Sequence, residues 1–135
     1  MPKTVLIVDD IAFVRKTLTD ILRQAHYHIV AEAADGAEAV SLYTQHKPDI
    51  VTMDIVMPQM SGIEATRKIL KINPRAKVII ISAMGQENLV MEAVNVGACD
   101  YVLKPFTSED ILKSMERAIK MDSSLSRDQA AQHEK

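Results

Sequence analysis

Five side chains carry groups that could act together: the adjacent acids Asp9 and Asp10, the lone Asp54, the hydroxyl of Ser82 and the ammonium of Lys104. Each follows a short strand-like run, at residues 4–8, 49–53, 77–81 and 100–103. Three carboxylates held close together repel, and at least one is pushed toward protonation. A divalent cation removes the conflict. Oxygen-only ligands suit a hard ion, and a sparse carboxylate set completed by water suits Mg²⁺ better than Ca²⁺. Mg²⁺ in turn suits phosphate oxygens, and a carboxylate can act as a nucleophile that becomes an aspartyl-phosphate. Lys104 would then neutralise charge on the transferring group, and the Ser82 hydroxyl would donate to one of its oxygens. The residues alone leave open which aspartate is attacked; Asp54, central on its strand, is the natural candidate. Each residue also has a plainer role open to it. Asp10 could cap a helix, Asp54 could open a turn, Ser82 could bond local backbone, and Lys104 could be a surface lysine before Pro105.

The elements that must position these groups alternate along the chain. Strands are expected at Thr4–Val8, His28–Ala33, 49–53, 77–81 and Asp100–Leu103, with amphipathic helices between them. The first helix carries Ile11, Val14, Leu18, Ile21, Leu22 and Ala25 on one face, with Asp10 at the N-cap position. Asp35 with Glu38, and Ser61 with Glu64, have capping-box spacing, and open helices running to about His46 and Ile72. The fourth helix spans about 86–96 and stops at Gly97; the last, capped by Thr107, spans about 108–120. Strands one, three and four are nearly continuous apolar runs, as strands buried on both faces are. The pattern is an α/β, (βα)5 doubly wound fold: a five-stranded parallel sheet in the flavodoxin-like order 2-1-3-4-5, with right-handed crossovers. Ligands bind such sheets outside the carboxyl ends of the strands, at the switch point between strands one and three. That is where Asp9, Asp10 and Asp54 fall, with Ser82 and Lys104 on the same edge.

Composition narrows the classes further. The chain has 135 residues, 47% hydrophobic and 25% charged, which is one ordinary domain. Residues 1–121 would form it; 122–135 are polar and read as a flexible tail. Sixteen Lys and Arg against eighteen Asp and Glu give a net charge of −2, which argues against wrapping nucleic acid or an anionic membrane. The longest aliphatic runs have four residues, where a membrane helix needs about 20. Cys99 is the sole cysteine and the N-terminus enters a strand directly, so a cytoplasmic protein is expected. Cys99 itself reads as a small buried apolar residue. The four histidines have no metal-site spacing. Met84, Met91, Met115 and Met121 could adapt to partners, though filling the core is the commoner use of methionine.

Four segments together resemble the receiver domain of bacterial two-component response regulators, and within that family the stand-alone chemotaxis regulators. They are residues 5–10 (VLIVDD), 48–62 (PDIVTMDIVMPQMSG), 80–85 (IISAMG) and 97–106 (GACDYVLKPF), and the resemblance covers residues 3 to about 120. It implies that Asp54 is the phosphoacceptor. Asp9, Asp10 and Asp54 with the backbone carbonyl of Val56 would hold Mg²⁺. Ser82 and Tyr101 would be the switch pair, Lys104 would pair with the phosphoryl group, and Lys104–Pro105 would be cis. The Val56 side chain is apolar where many members are polar. We expect it to disfavour a water behind the phosphoryl group, an expectation the aspartyl-phosphate lifetime of Val56→Asn would decide.

The function implied is a phosphorylation-activated signalling switch. A histidine kinase (CheA-like) would be the phosphodonor, and the face formed by helix four, strand five and helix five would be remodelled to bind an output partner such as the flagellar motor switch. A separate phosphatase is a further partner. A phosphorelay intermediate or another single-domain receiver is the alternative within the class. Direct DNA binding is not expected, because only about fifteen residues follow the last helix. From a different class, a small aspartyl-phosphate phosphatase would want D-x-D after strand one, and a flavin carrier would want a Ser/Thr/Gly-rich loop there. The sequence has Asp9-Asp10-Ile11-Ala12 instead.

Overall fold

The structure is a computed structural model that describes residues 2–133, with side chains through Met121. Five strands and five helices alternate: β1 (Thr4–Val8), α1 (Ala12–Gln24), β2 (His28–Ala33), α2 (Gly36–His46), β3 (Ile50–Asp54), α3 (Gly62–Ile72), β4 (Val78–Ser82), α4 (Glu87–Val96), β5 (Asp100–Leu103) and α5 (Ser108–His133). All neighbouring strands are parallel, in the order β2-β1-β3-β4-β5. This is the expected doubly wound fold.

Alternation along the central strands divides the interior in two. Leu6, Val8, Val51, Met53, Val78 and Ile80 face one way and pack against Ala39 and Tyr43 of α2, Ile63 and Ile69 of α3, and Val90 and Ala93 of α4. Val5, Ile7, Ile50, Ile79 and Ile81 face the other way, onto Leu18 and Leu22 of α1 and Ile111 and Met115 of α5. β1, β3 and β4 are therefore covered on both faces, and that explains their unbroken apolar runs.

Local signals act largely as read. The Asp35 carboxylate accepts Glu38 N–H at 2.8 Å, and Glu38 returns to Ala34 N–H at 2.7 Å. Ser61 Oγ accepts Glu64 N–H at 3.2 Å. Thr107 and Asp110 bond each other's backbone N–H at the start of α5. Gly97 ends α4 at φ +127°, a conformation that L side chains rarely adopt. The Lys104–Pro105 bond is cis. Besides one-residue shifts of β3 and β4, two readings change. Asp10 does not cap α1: Ile11 is the N-cap residue, and it is Asp9 Oδ1 that accepts the Ile11 N–H, at 2.9 Å. α5 continues to His133, past the expected end near Lys120, through a stretch without glycine or proline. The side chains of the expected tail, from residue 122 on, lie outside the described residues. Among the described residues no helix is long and apolar enough to cross a membrane.

Candidate functional site

The sheet register brings the chemistry together. Val8, which precedes the acidic pair, lies opposite Met53; Asp54 lies opposite Ile81; Ser82 lies opposite Leu103. Asp54 and Ser82 are thus the last residues of their own strands, on adjacent central strands. Neither is a loop residue, so the ladder fixes where each backbone sits. Below Asp54, the start of α3 is pressed against the strand. Gly62 N–H donates to Ile55 O at 2.7 Å, and a Cβ on Gly62 would overlap the Asp54 carbonyl oxygen. Only glycine permits that approach.

Asp9, Asp10 and Asp54 each present a carboxylate oxygen within 4.8 Å of the others. Asp9 and Asp54 are buried, and Asp10 is exposed. Lys104 Nζ lies 3.0 Å from Asp9 Oδ2 and 3.6 Å from Asp54 Oδ1. Asp54 Oδ1 also accepts Ile55 N–H at 2.9 Å. One ammonium does not balance three carboxylates. Burial, followed by the negative charge of Asp9, pushes the Asp54 carboxyl up to about 6, with Asp10 adding to the rise and Lys104 and the Ile55 N–H opposing it. A cluster of hard oxygen donors with uncompensated negative charge fits a divalent cation, and Asp9, Asp10 and Asp54 are the residues that would hold it.

Ser82 is fully buried, and its Oγ has no hydrogen-bond partner among the described residues. Buried hydroxyls are seldom left unpaired; among the described residues the Oγ1 atoms of Thr19 and Thr52 share this state, and of the three only Ser82 ends a strand at the carboxyl edge of the sheet. Tyr101 stands apart from the acids on β5, 47% exposed, with its N–H bonded to Asp100 Oδ1. Val56 lies in the β3–α3 loop with its side chain 56% exposed. Cys99, expected to be buried, is only partly so, and burial, then Asp100, pushes its thiol up to about 11, which disfavours the thiolate.

One residue that supports the site was not singled out from the sequence. Arg15 Nη1 donates to the Asp9 carbonyl at 2.7 Å, while its Nε pairs with Glu32 Oε1 at 3.1 Å. It ties the acidic turn to β2. Its only sequence signal is a cation on the inner turn of a helix that follows an acidic pair.

Residues 5–116 match the response regulator receiver domain family. The chain belongs to that family, and within it is CheY-like. It is 50% identical to the chemotaxis protein CheY of Thermotoga maritima over 120 residues, covering 89% of this chain and all of the relative. With the Bacillus subtilis chemotaxis protein CheY it shares 44% identity over 119 residues, covering 88% of this chain and 99% of the relative. Among solved structures, the CheX–CheY–BeF3–Mg complex from Borrelia burgdorferi superimposes with a TM-score of 0.82 at 42% identity, covering 85% of this chain and 87% of the matched one.

Proposed function

We propose that this protein is a phosphorylation-activated switch that takes a phosphoryl group on Asp54 from a histidine kinase, with Mg²⁺ at Asp9, Asp10, Asp54 and the Val56 carbonyl, and signals through an altered surface. The observation that carries the reading is the pairing of a charge-frustrated Asp54 with Lys104 beside it and a buried, unpartnered Ser82 hydroxyl on the next strand. The Borrelia relative, bound to BeF3 and Mg, supports it, because BeF3 has the tetrahedral shape and negative charge of a phosphoryl group.

In the proposed transfer, an Asp54 carboxylate oxygen attacks the phosphorus of a phosphohistidine. A new O–P bond forms as the P–N bond breaks, and the imidazole leaves with the electron pair and takes a proton from solvent. Bound Mg²⁺ supplies charge neutralisation for the acids and the phosphoryl oxygens. Lys104, already between Asp9 and Asp54, turns to the new anion. Ser82 Oγ donates to a phosphoryl oxygen, its loop follows, and Tyr101 shifts inward from its half-exposed position. Phosphate thus selects one of two conformations. The surface that changes is the α4–β5–α5 face. Met91 and Val94 on α4 and Leu103 on β5 are exposed, as is Met84 in the loop before α4, and Leu103 lines a groove of about 460 Å³ between β5 and α5. Met115, by contrast, is fully buried and fills the core. An exposed apolar face with adaptable methionines suits a protein partner, and for a CheY-like chain the flagellar motor switch is the partner we infer. This role is that of a cytoplasmic phosphoacceptor and not of a multiple-turnover enzyme.

The test is intact-mass measurement after incubation with a small acyl phosphate and Mg²⁺. One labile phosphoryl group on the protein, absent from Asp54→Asn and lost on chelation of Mg²⁺ before labelling, is the expected result. Rapid turnover of many equivalents would make it a phosphatase; no label from any donor would end the reading.

A further inference from the structure

The loop between β4 and α4 is fastened to the sheet at one end only. Ser82 is the last residue in the ladder, and its carbonyl accepts Lys104 N–H at 2.7 Å. Past Ser82 the ladder stops, and the Ala83 N–H donates to the side chain of Gln86, at 2.8 Å from Oε1. Gln86 is the N-cap residue of α4, yet its side chain bonds none of the helix N–H groups; it reaches back over the loop. The residues between are loosely held. Met84 is 82% exposed, Gly85 sits at φ +88° in open space, and its N–H reaches Glu87 Oε1 only at 3.4 Å. Among the described residues the short hydrogen bond within this loop is therefore to a side-chain amide, and the residue it holds, Ala83, follows directly on Ser82 with its unpartnered hydroxyl.

We propose that Gln86 is a positioning residue for the switch: by accepting the Ala83 N–H it clasps the β4–α4 loop in the arrangement that leaves Ser82 Oγ unpaired, and the loop releases Gln86 when Ser82 turns to a phosphoryl oxygen. The inference rests on the phosphoacceptor reading of Asp54. A side-chain clasp suits this purpose. It can open without breaking a ladder bond, it carries no charge to disturb the acids, and a single neutral hydrogen bond biases a two-state loop by about fivefold. That bias is small enough for a newly bound anion to overcome.

The experiment compares wild type with Gln86→Ala and Gln86→Glu. Hydrogen exchange of the Ala83 amide is read in the resting protein, and the initial rate of mass labelling is read with acyl phosphate and Mg²⁺. Thermal unfolding confirms that each variant is folded. Removing the acceptor should raise both Ala83 exchange and the labelling rate about fivefold. Gln86→Glu keeps an acceptor oxygen and should hold Ala83 exchange within about twofold of wild type. Faster exchange with an unchanged or slower labelling rate would reduce Gln86 to a loop cap and overturn the inference. Unchanged Ala83 exchange in Gln86→Ala would overturn it as well. A wild type that takes no label at all would remove the phosphoacceptor reading and this one together, whereas normal labelling with no response to Gln86→Ala removes this one alone.

Discussion

Asp54 is less stable as an anion in the fold than in the unfolded chain. Its carboxyl is raised from 3.8 to about 6, mainly by burial and by Asp9. The native state therefore binds more protons than the unfolded state between those two values. Stability from this group is fully present below about pH 4 and is lost as pH rises through about 6. Replacing Asp54 by Asn removes the unfavourable charge. Metal-free Asp54→Asn should be more stable than wild type by about 1–3 kcal/mol at pH 8, with the gain vanishing near pH 4. Denaturant unfolding at both pH values checks this, and a gain that is equal at both would show that packing, not charge, is responsible. At this scale the sequence was informative wherever a reactive group ended a strand. Asp9, Asp10, Asp54 and Lys104 could be placed together from strand ends alone. Arg15 and Gln86 could not, because each acts through a long side chain folded back across a loop, and spacing does not encode that reach.

Among the elements, the junction of β3 with α3 is the least forgiving. Gly62 lets the helix start lie directly on the Asp54 carbonyl. A methyl group there meets backbone and not a yielding side chain. Gly62→Ala should cost about 1–3 kcal/mol in thermal or denaturant unfolding and should slow labelling of Asp54, because the backbone that aims its carboxylate must shift. A variant with wild-type stability and rate would show that the contact relaxes freely. The elements themselves were legible because apolar periodicity, capping boxes and Gly97 agreed with one another. The differences lie at the ends. β3 and β4 each begin and end one residue later than expected, taking in Asp54 and Ser82. The sequence put them just past the strand ends, but parallel pairing with Ile81 and Leu103 holds them in the ladder. Asp10 fails as a cap because α1 begins one residue later than expected, which puts Ile11 at the extended N-cap position.

For the molecule as a whole, the sheet separates two tasks. Its carboxyl edge gathers the acids, the lysine and the hidden hydroxyl. One flank, α4 with β5 and α5, leaves Met91, Leu103 and Tyr101 exposed, and in the proposed function a partner meets this flank. Ser82 connects the two, since it ends the strand that pairs with β5 and begins the loop that enters α4. The order of strands was readable from the alternation of elements and the handedness of crossovers. The conformation that the proposed switch rests in was not, because two conformations of one fold share the same periodicity. The most direct measurement is backbone amide NMR of the protein with Mg²⁺, before and after addition of beryllium fluoride, alongside Asp54→Asn. The account predicts that amides of α4, of Tyr101 and Leu103 on β5 and of the first turns of α5 shift together with those around Asp54 in wild type, and that none of these shifts appears in Asp54→Asn. Shifts confined to the loops around Asp9, Asp54 and Ser82, with the α4–β5–α5 face unmoved, would contradict it.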